Sequence, residues 1–248
     1  MSNFVKQLLI ILTLSWCWFL FSSANIFPAL LFPSPQEIIK SFYIIFAEDN
    51  ISHDILLTIV RMISGLVMGI VLGIVSGVLI GFSSLTKQIT FWVDFLRSIP
   101  GAALFPAFML LFGLGELAKI FLVIFATVLI VIINTTYGIK NMNKTRLMVA
   151  QTLKLNKLQT FFQIILPESL PYISVGIRHA ISYSLIMVVV AEMFMGTEYG
   201  LGKRIVDFHL TYEIGKMYSV IILTGMIGYL ANQLYIYFES KKIHWIGK

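Results

Sequence analysis

Four ionisable side chains within the apolar stretches of this chain could supply acid–base or metal-ligating chemistry: Asp94, Arg178, His179 and Glu192. A hydrolase would need them to converge, or to belong to a G-x-S-x-G or H-E-x-x-H pattern, and neither pattern occurs. The single cysteine, Cys17, excludes an internal disulfide and a cysteine-based zinc site. Gly200-Leu201-Gly202-Lys203 nearly matches a phosphate-binding loop. Thr197 stands where its first glycine belongs and Arg204 where its Ser or Thr belongs, so these read as turn glycines. Glu192 is the most informative of the four. A carboxylate at membrane depth costs a few kcal/mol unless it meets a cavity or a partner. It either lines a pathway or sits at the interface and orders the next loop.

The elements that must position these groups are membrane spans. The chain has 248 residues, 58% hydrophobic and 12% charged, with mean hydropathy +0.89. That is too apolar for a soluble domain and fits an all-α polytopic membrane protein. The pI of 9.4 then reflects cationic loops at one membrane face, not a nucleic-acid partner.

Six spans are expected, at about 7–24, 55–82, 89–113, 118–137, 172–195 and 217–238, in a single domain over 1–248. Ser22-Ser23-Ala24 would suit a signal cleavage site, but the other spans need a bilayer regardless, so 7–24 reads as an uncleaved first span. Residues 32–54 read as a loop and short helix opening at Ser34-Pro35, and 196–216 as a loop. In the second span Gly65, Gly69, Gly73, Gly77 and Gly81 recur every four residues and form a groove that a neighbouring helix can enter. The third span carries Asp94, Arg97, Pro100 and Pro106. Pro100-Gly101 should break it, either for packing or because it lines a translocation path with Arg97 and Glu192.

Between the fourth and fifth spans, residues 140–171 form a basic connection with Lys140, Lys144, Arg146, Lys154 and Lys157. Val149, Leu153, Leu155, Leu158, Phe161, Phe162 and Ile165 recur at helical spacing, which predicts short amphipathic helices at 149–153 and 156–166. Pro167 and Pro171 should then break the chain into an elbow. The excess of Lys and Arg at one set of span ends places both termini and this loop in the cytoplasm.

These stretches resemble the inner-membrane permease subunits of bacterial ABC importers, and most closely the nitrate/sulfonate/taurine type. That family's loop reads E-A-A, three residues, G, nine residues, I-x-L-P. Ala150, Ile164, Leu166 and Pro167 match it, whereas Met148 replaces the Glu and Lys154 the turn Gly. FPSPQEI at 32–38, Thr58 to Arg61 before the glycine row, LRSIPGAALFPAFMLLFGLGELAK at 96–119 and AEMFMGTEYGLGKRI at 191–205 are similar to further family segments. The resemblance covers roughly 32–235.

It implies a transport subunit of the bacterial inner membrane, not an enzyme. The implied partners are a second copy of the permease, two cytoplasmic ATPases that hold ATP and Mg, and a periplasmic or lipid-anchored substrate-binding protein. No cofactor binds this chain. Ala150, Leu153, Lys154, Leu155, Asn156, Lys157, Leu158 and Pro167 would contact the ATPase. Loss of the turn glycine supports an alternative, a permease-like scaffold or sensor with lost or altered coupling. Arg97 and Arg178 are compatible with a small anion and equally with a neutral solute.

Overall fold

The computed structural model describes residues 3–24, 28 and 31–242, and the described residues are almost wholly helical. Four helices are long and apolar enough to cross a membrane, Ile51–Phe82, Glu116–Lys140, Lys157–Phe194 and Ile214–Lys241, and a bent pair makes a fifth. Helix α1 (Asn3–Ser23) covers the expected first span.

Two compact units emerge, one from Met1–Leu57 with Glu198–Met226, the other from Thr58–Thr197 with Ile227–Lys248. The first contains α1, α2 (Pro35–Ala47), the opening turns of α3 (Ile51–Phe82), α10 (Leu201–Leu210) and the start of α11 (Ile214–Lys242). Ser34 caps α2, its hydroxyl accepting the Glu37 N–H, with Pro35 at the first helical position where no N–H is needed. Ser219 Oγ donates to Ile38 O at 3.1 Å and locks α11 onto α2. Helix α10 replaces the expected loop, because its leading turn is tied down. Asp54, fully buried, accepts the Gly200 N–H at 2.7 Å and Arg204 Nε at 2.8 Å. The basic residue that spoiled the phosphate-loop pattern is thus a structural ion-pair partner.

The second unit contains the rest of α3, then α4 (Thr86–Arg97), α5 (Phe105–Phe112), α6 (Glu116–Lys140), α7 (Lys144–Thr152), α8 (Lys157–Thr160), α9 (Leu166–Phe194) and the end of α11. Helix α6 is its axis, with Leu122, Val123 and Val131 fully buried. Along one side runs the glycine row of α3. A Cβ on Gly65, Gly69, Gly73 or Gly77 would lie 2.6 Å from the Cβ of Val123, Thr127, Val131 or Thr135 respectively, and one on Gly81 2.9 Å from that of Ile139. Glycines four apart thus mesh rung by rung with β-branched residues four apart. On another side α9 packs as closely, with Gly176 against Asn134 and Gly138 against Ser169 and Tyr172.

The third expected span is two helical pieces. Thr86–Arg97 and Gly101–Phe112, the second opening in a 3-10 turn, meet at 87° around Ser98–Pro100. Pro100 breaks the helix as expected, while Pro106 sits harmlessly in the first turn of α5.

Pro167 and Pro171 do not form an elbow. Helix runs from Lys157 to Phe194, 38 residues or about 57 Å, through a π-helical turn at Phe161–Ile165. In that turn the Leu166 N–H reaches back five residues to Phe161 O. Pro167 falls where α9 starts afresh and Pro171 interrupts it by one hydrogen bond, which packing of Ile173, Ser174 and Gly176 outweighs.

Candidate functional site

Helices α7 and α8 form a hairpin joined by the short turn at Leu153–Asn156. Asn143 caps α7, its Oδ1 accepting the Thr145 N–H at 2.8 Å. The first helix is therefore longer than expected, ending at Thr152 with Leu153 as its cap. Lys154 follows at φ +53°, in the left-handed region where the family pattern has glycine. Leu155 N–H bonds Ala150 O and Lys154 N–H bonds Gln151 O, each at 3.0 Å, which closes the helix end. The turn survives the loss of its glycine, and the lysine bears the strain. Asn156 and Gln159 then start α8 with a reciprocal capping box, at 2.8 and 2.9 Å.

Of the residues expected to meet a partner, Ala150 is buried at 2% and serves the hairpin's own packing. Leu155 is half-buried. Leu153, Lys154, Asn156, Lys157 and Leu158 are exposed. Met148, Val149 and Phe162 extend the exposed apolar surface. Pro167 lines a groove of about 400 Å³ between α7 and the long helix, with Arg146, Val149, Gln163, Ile164 and Glu168.

A larger cavity, about 620 Å³, lies among the α4–α5 bend, α6 and α9. Its polar wall is Arg97, Ser98, Asn134, His179, Ser182 and Tyr183. The rest is apolar, with Phe125, Leu129, Ile130 and Met187, and none of the described lining residues is acidic. Arg97 also reaches Asp94 at 3.2 Å, with both side chains more than half exposed. Of the three expected pathway residues, only Arg97 lines this cavity. Pro100 builds the bend while its neighbours Ile99 and Gly101 face the space. Asn134, Ser182 and Tyr183 escaped the sequence reading because uncharged polar residues in a span look the same whether they face a cavity or a helix.

Glu192 is placed elsewhere. At 1% exposure it accepts the Thr58 hydroxyl at 2.9 Å and Arg61 Nη1 at 2.7 Å. Arg61 also grips Glu116 through Nη2, at 2.7 Å, and through Nε. Lys119, 2% exposed, meets Glu116 at 3.2 Å. Two cations and two carboxylates bind α3, α6 and α9 in one neutral cluster, which answers the cost of burying each. Arg61 within an apolar helix was the sequence signal for it. Arg178 pairs with Glu239 of α11, beside Ser174 and Tyr235, which lie 2.8 Å apart. Arg178 and Glu192 are thus taken up in separate ion pairs, while Asp94 pairs with Arg97, which lines the cavity together with His179.

The family model for the binding-protein-dependent transport system inner membrane component matches residues 69–244. An Escherichia coli (strain K12) protein named as an aliphatic sulfonates transport permease, SsuC, is 31% identical over 229 residues, 92% of this chain and 87% of its own. The Bacillus subtilis (strain 168) protein of the same name is 29% identical over 98% of this chain and 88% of its own. The nitrate import permease NrtB of Leptolyngbya laminosa is 32% identical over 60% of this chain and 53% of its own. Among solved structures, an inward-facing MetNI methionine ABC transporter chain superposes with TM-score 0.65 at 17% identity, over 75% of this chain and 93% of that one, a likeness of fold. This chain belongs to the binding-protein-dependent inner membrane components, the permease subunits of ABC importers.

Proposed function

We propose that the chain, as one of two permease copies, imports a small anion of the nitrate, sulfonate or taurine kind by alternating access. A binding protein outside the membrane delivers the solute. Two cytoplasmic ATPases, holding ATP and Mg, drive the cycle through the α7–α8 hairpin. In this reading α1 completes six spans and both termini lie in the cytoplasm of a bacterial inner membrane.

The observation that carries the reading is the hairpin. A surface presenting Met148, Leu153, Leu158 and Phe162 among Lys154 and Lys157 has the composition of an interface with an apolar centre and a cationic rim, which fits a partner with an acidic edge. The continuous helix from Lys157 to Phe194 then moves as a rod and carries the push to His179, Ser182 and Tyr183 in the cavity wall. The donor-rich, acid-free lining of that cavity favours an anion over a cation.

The test is co-purification with candidate ATPases and binding proteins from the same genome, followed by transport in proteoliposomes. Leu158→Asp should abolish ATPase association and transport while membrane insertion is retained. Wild-type association of that variant would remove the docking reading.

A further inference from the structure

The seam between α7 and the long helix is not filled. The groove of about 400 Å³ separates Arg146 and Val149 on one side from Gln163, Ile164, Pro167 and Glu168 on the other. At its closed end the two arms are joined covalently by the Leu153–Asn156 turn, and Ala150 packs nearby. At its open end a polar contact bridges them. Glu168, in the first turn of α9, accepts the backbone N–H of Asn143 at 2.8 Å. Asn143 is the cap of α7, so this bond holds the helix by its leading residue. Glu168 is the sole carboxylate in residues 140–171. Its other oxygen, Oε2, is buried with no partner among the described residues. Glu168 is half-buried and its carboxylate makes no ion pair among the described residues, so its placement is accounted for by the bond to Asn143.

We propose that Glu168 is a positioning residue, a clasp that makes α7 and the 157–194 rod one lever. The inference rests on the coupling role proposed above. With the clasp shut, displacement of α7 by the ATPase passes wholly into the rod. With it open, α7, about 13 Å long, swings on the 153–156 turn into the groove and the stroke is lost. The bond lies at an exposed seam, so it favours the closed clasp by up to about tenfold.

The test compares Glu168→Ala and Glu168→Gln in the complete transporter. Glutamine keeps an oxygen that accepts the Asn143 N–H; alanine does not. Glu168→Ala should assemble with its ATPase and hydrolyse ATP, but move about tenfold fewer solutes per ATP, and Glu168→Gln should stay within about twofold of wild type. A wild-type coupling ratio for Glu168→Ala overturns the clasp. So does loss of ATPase association in that variant, which would make Glu168 part of the docking contact or fold and leave the importer reading intact.

A second readout does not depend on transport. Spin labels at Arg146→Cys and Gln163→Cys, both exposed sites, in a Cys17→Ser background report the width of the seam. Glu168→Ala should broaden that distance distribution, and an unchanged distribution overturns the clasp. If the wild-type chain shows no ATP-driven transport with any of the candidate ATPases and binding proteins, the importer reading fails, and the spin-label result alone decides the clasp.

Discussion

Gly73→Val tests whether the glycine row sets the spacing of α3 and α6. A Cβ at position 73 would lie 2.6 Å from Val131 Cβ, 2.9 Å from its Cγ1 and 3.2 Å from Val128 O. Carbon atoms pack at about 3.5–4.0 Å, so the helices must part by about 1 Å to admit the first carbon alone. A gap of that size forfeits a quarter to a half of the dispersion energy at the flanking Gly69–Thr127 and Gly77–Thr135 rungs. Overpacking of this kind costs about 3 kcal/mol, and the few tenths gained in helix propensity cannot offset it. The assay is equilibrium unfolding of the purified protein in detergent by titration with a denaturing surfactant. Gly225→Ala is the control. Gly225 is exposed with no atom within 4 Å of its would-be Cβ, so the change should stabilise by up to about 1 kcal/mol. The swapped pair Gly73→Val with Val131→Gly conserves the volume of the rung. It should be less destabilised than the sum of its single variants by about 2 kcal/mol. Additive energies, or a Gly73→Val protein within 0.5 kcal/mol of wild type, would refute the interlocking-row account.

Lys154→Gly should stabilise the hairpin by about 0.5–1 kcal/mol, because relief of the left-handed backbone exceeds the added freedom of the unfolded chain. Its melting temperature in detergent should rise, and a fall would mean the lysine side chain contributes more than its strain costs. Arg61→Met strands Glu192 and should destabilise by about 3–5 kcal/mol, whereas Arg61→Met with Glu192→Leu should be milder than the single change. Equal or greater loss in the double variant, by the same unfolding assay, would show that the cluster is not held as a charge pair. In a Cys17→Ser background, Ser182→Cys should react with a hydrophilic thiol reagent in at least one transport state. Glu192→Cys should stay protected in all of them, and the reverse pattern would put the pathway where the ion cluster is.

Much of the molecule was legible in the chain itself. Apolar runs long enough to span a bilayer are a local property, as is a glycine at every fourth position, so both could be read without knowing any neighbour. The hairpin was legible for the same reason. Its apolar residues recur at helical spacing within a few positions of one another, although the start of α7 at Lys144, behind its Asn143 cap and five residues before the expected 149, was not read. Break points were only half legible. Pro100 stands at the 87° bend, but Pro167 sits at a helix start and Pro171 inside a packed helix, and proline alone does not reveal which setting it has. The fates of Glu192 and Arg178 were decided by tertiary structure alone, since their partners lie 131 and 61 residues away in sequence. So was the cavity. The spacing of residues along one helix says which of them share a face, whereas what that face meets depends on how distant helices pack, and no local pattern encodes that.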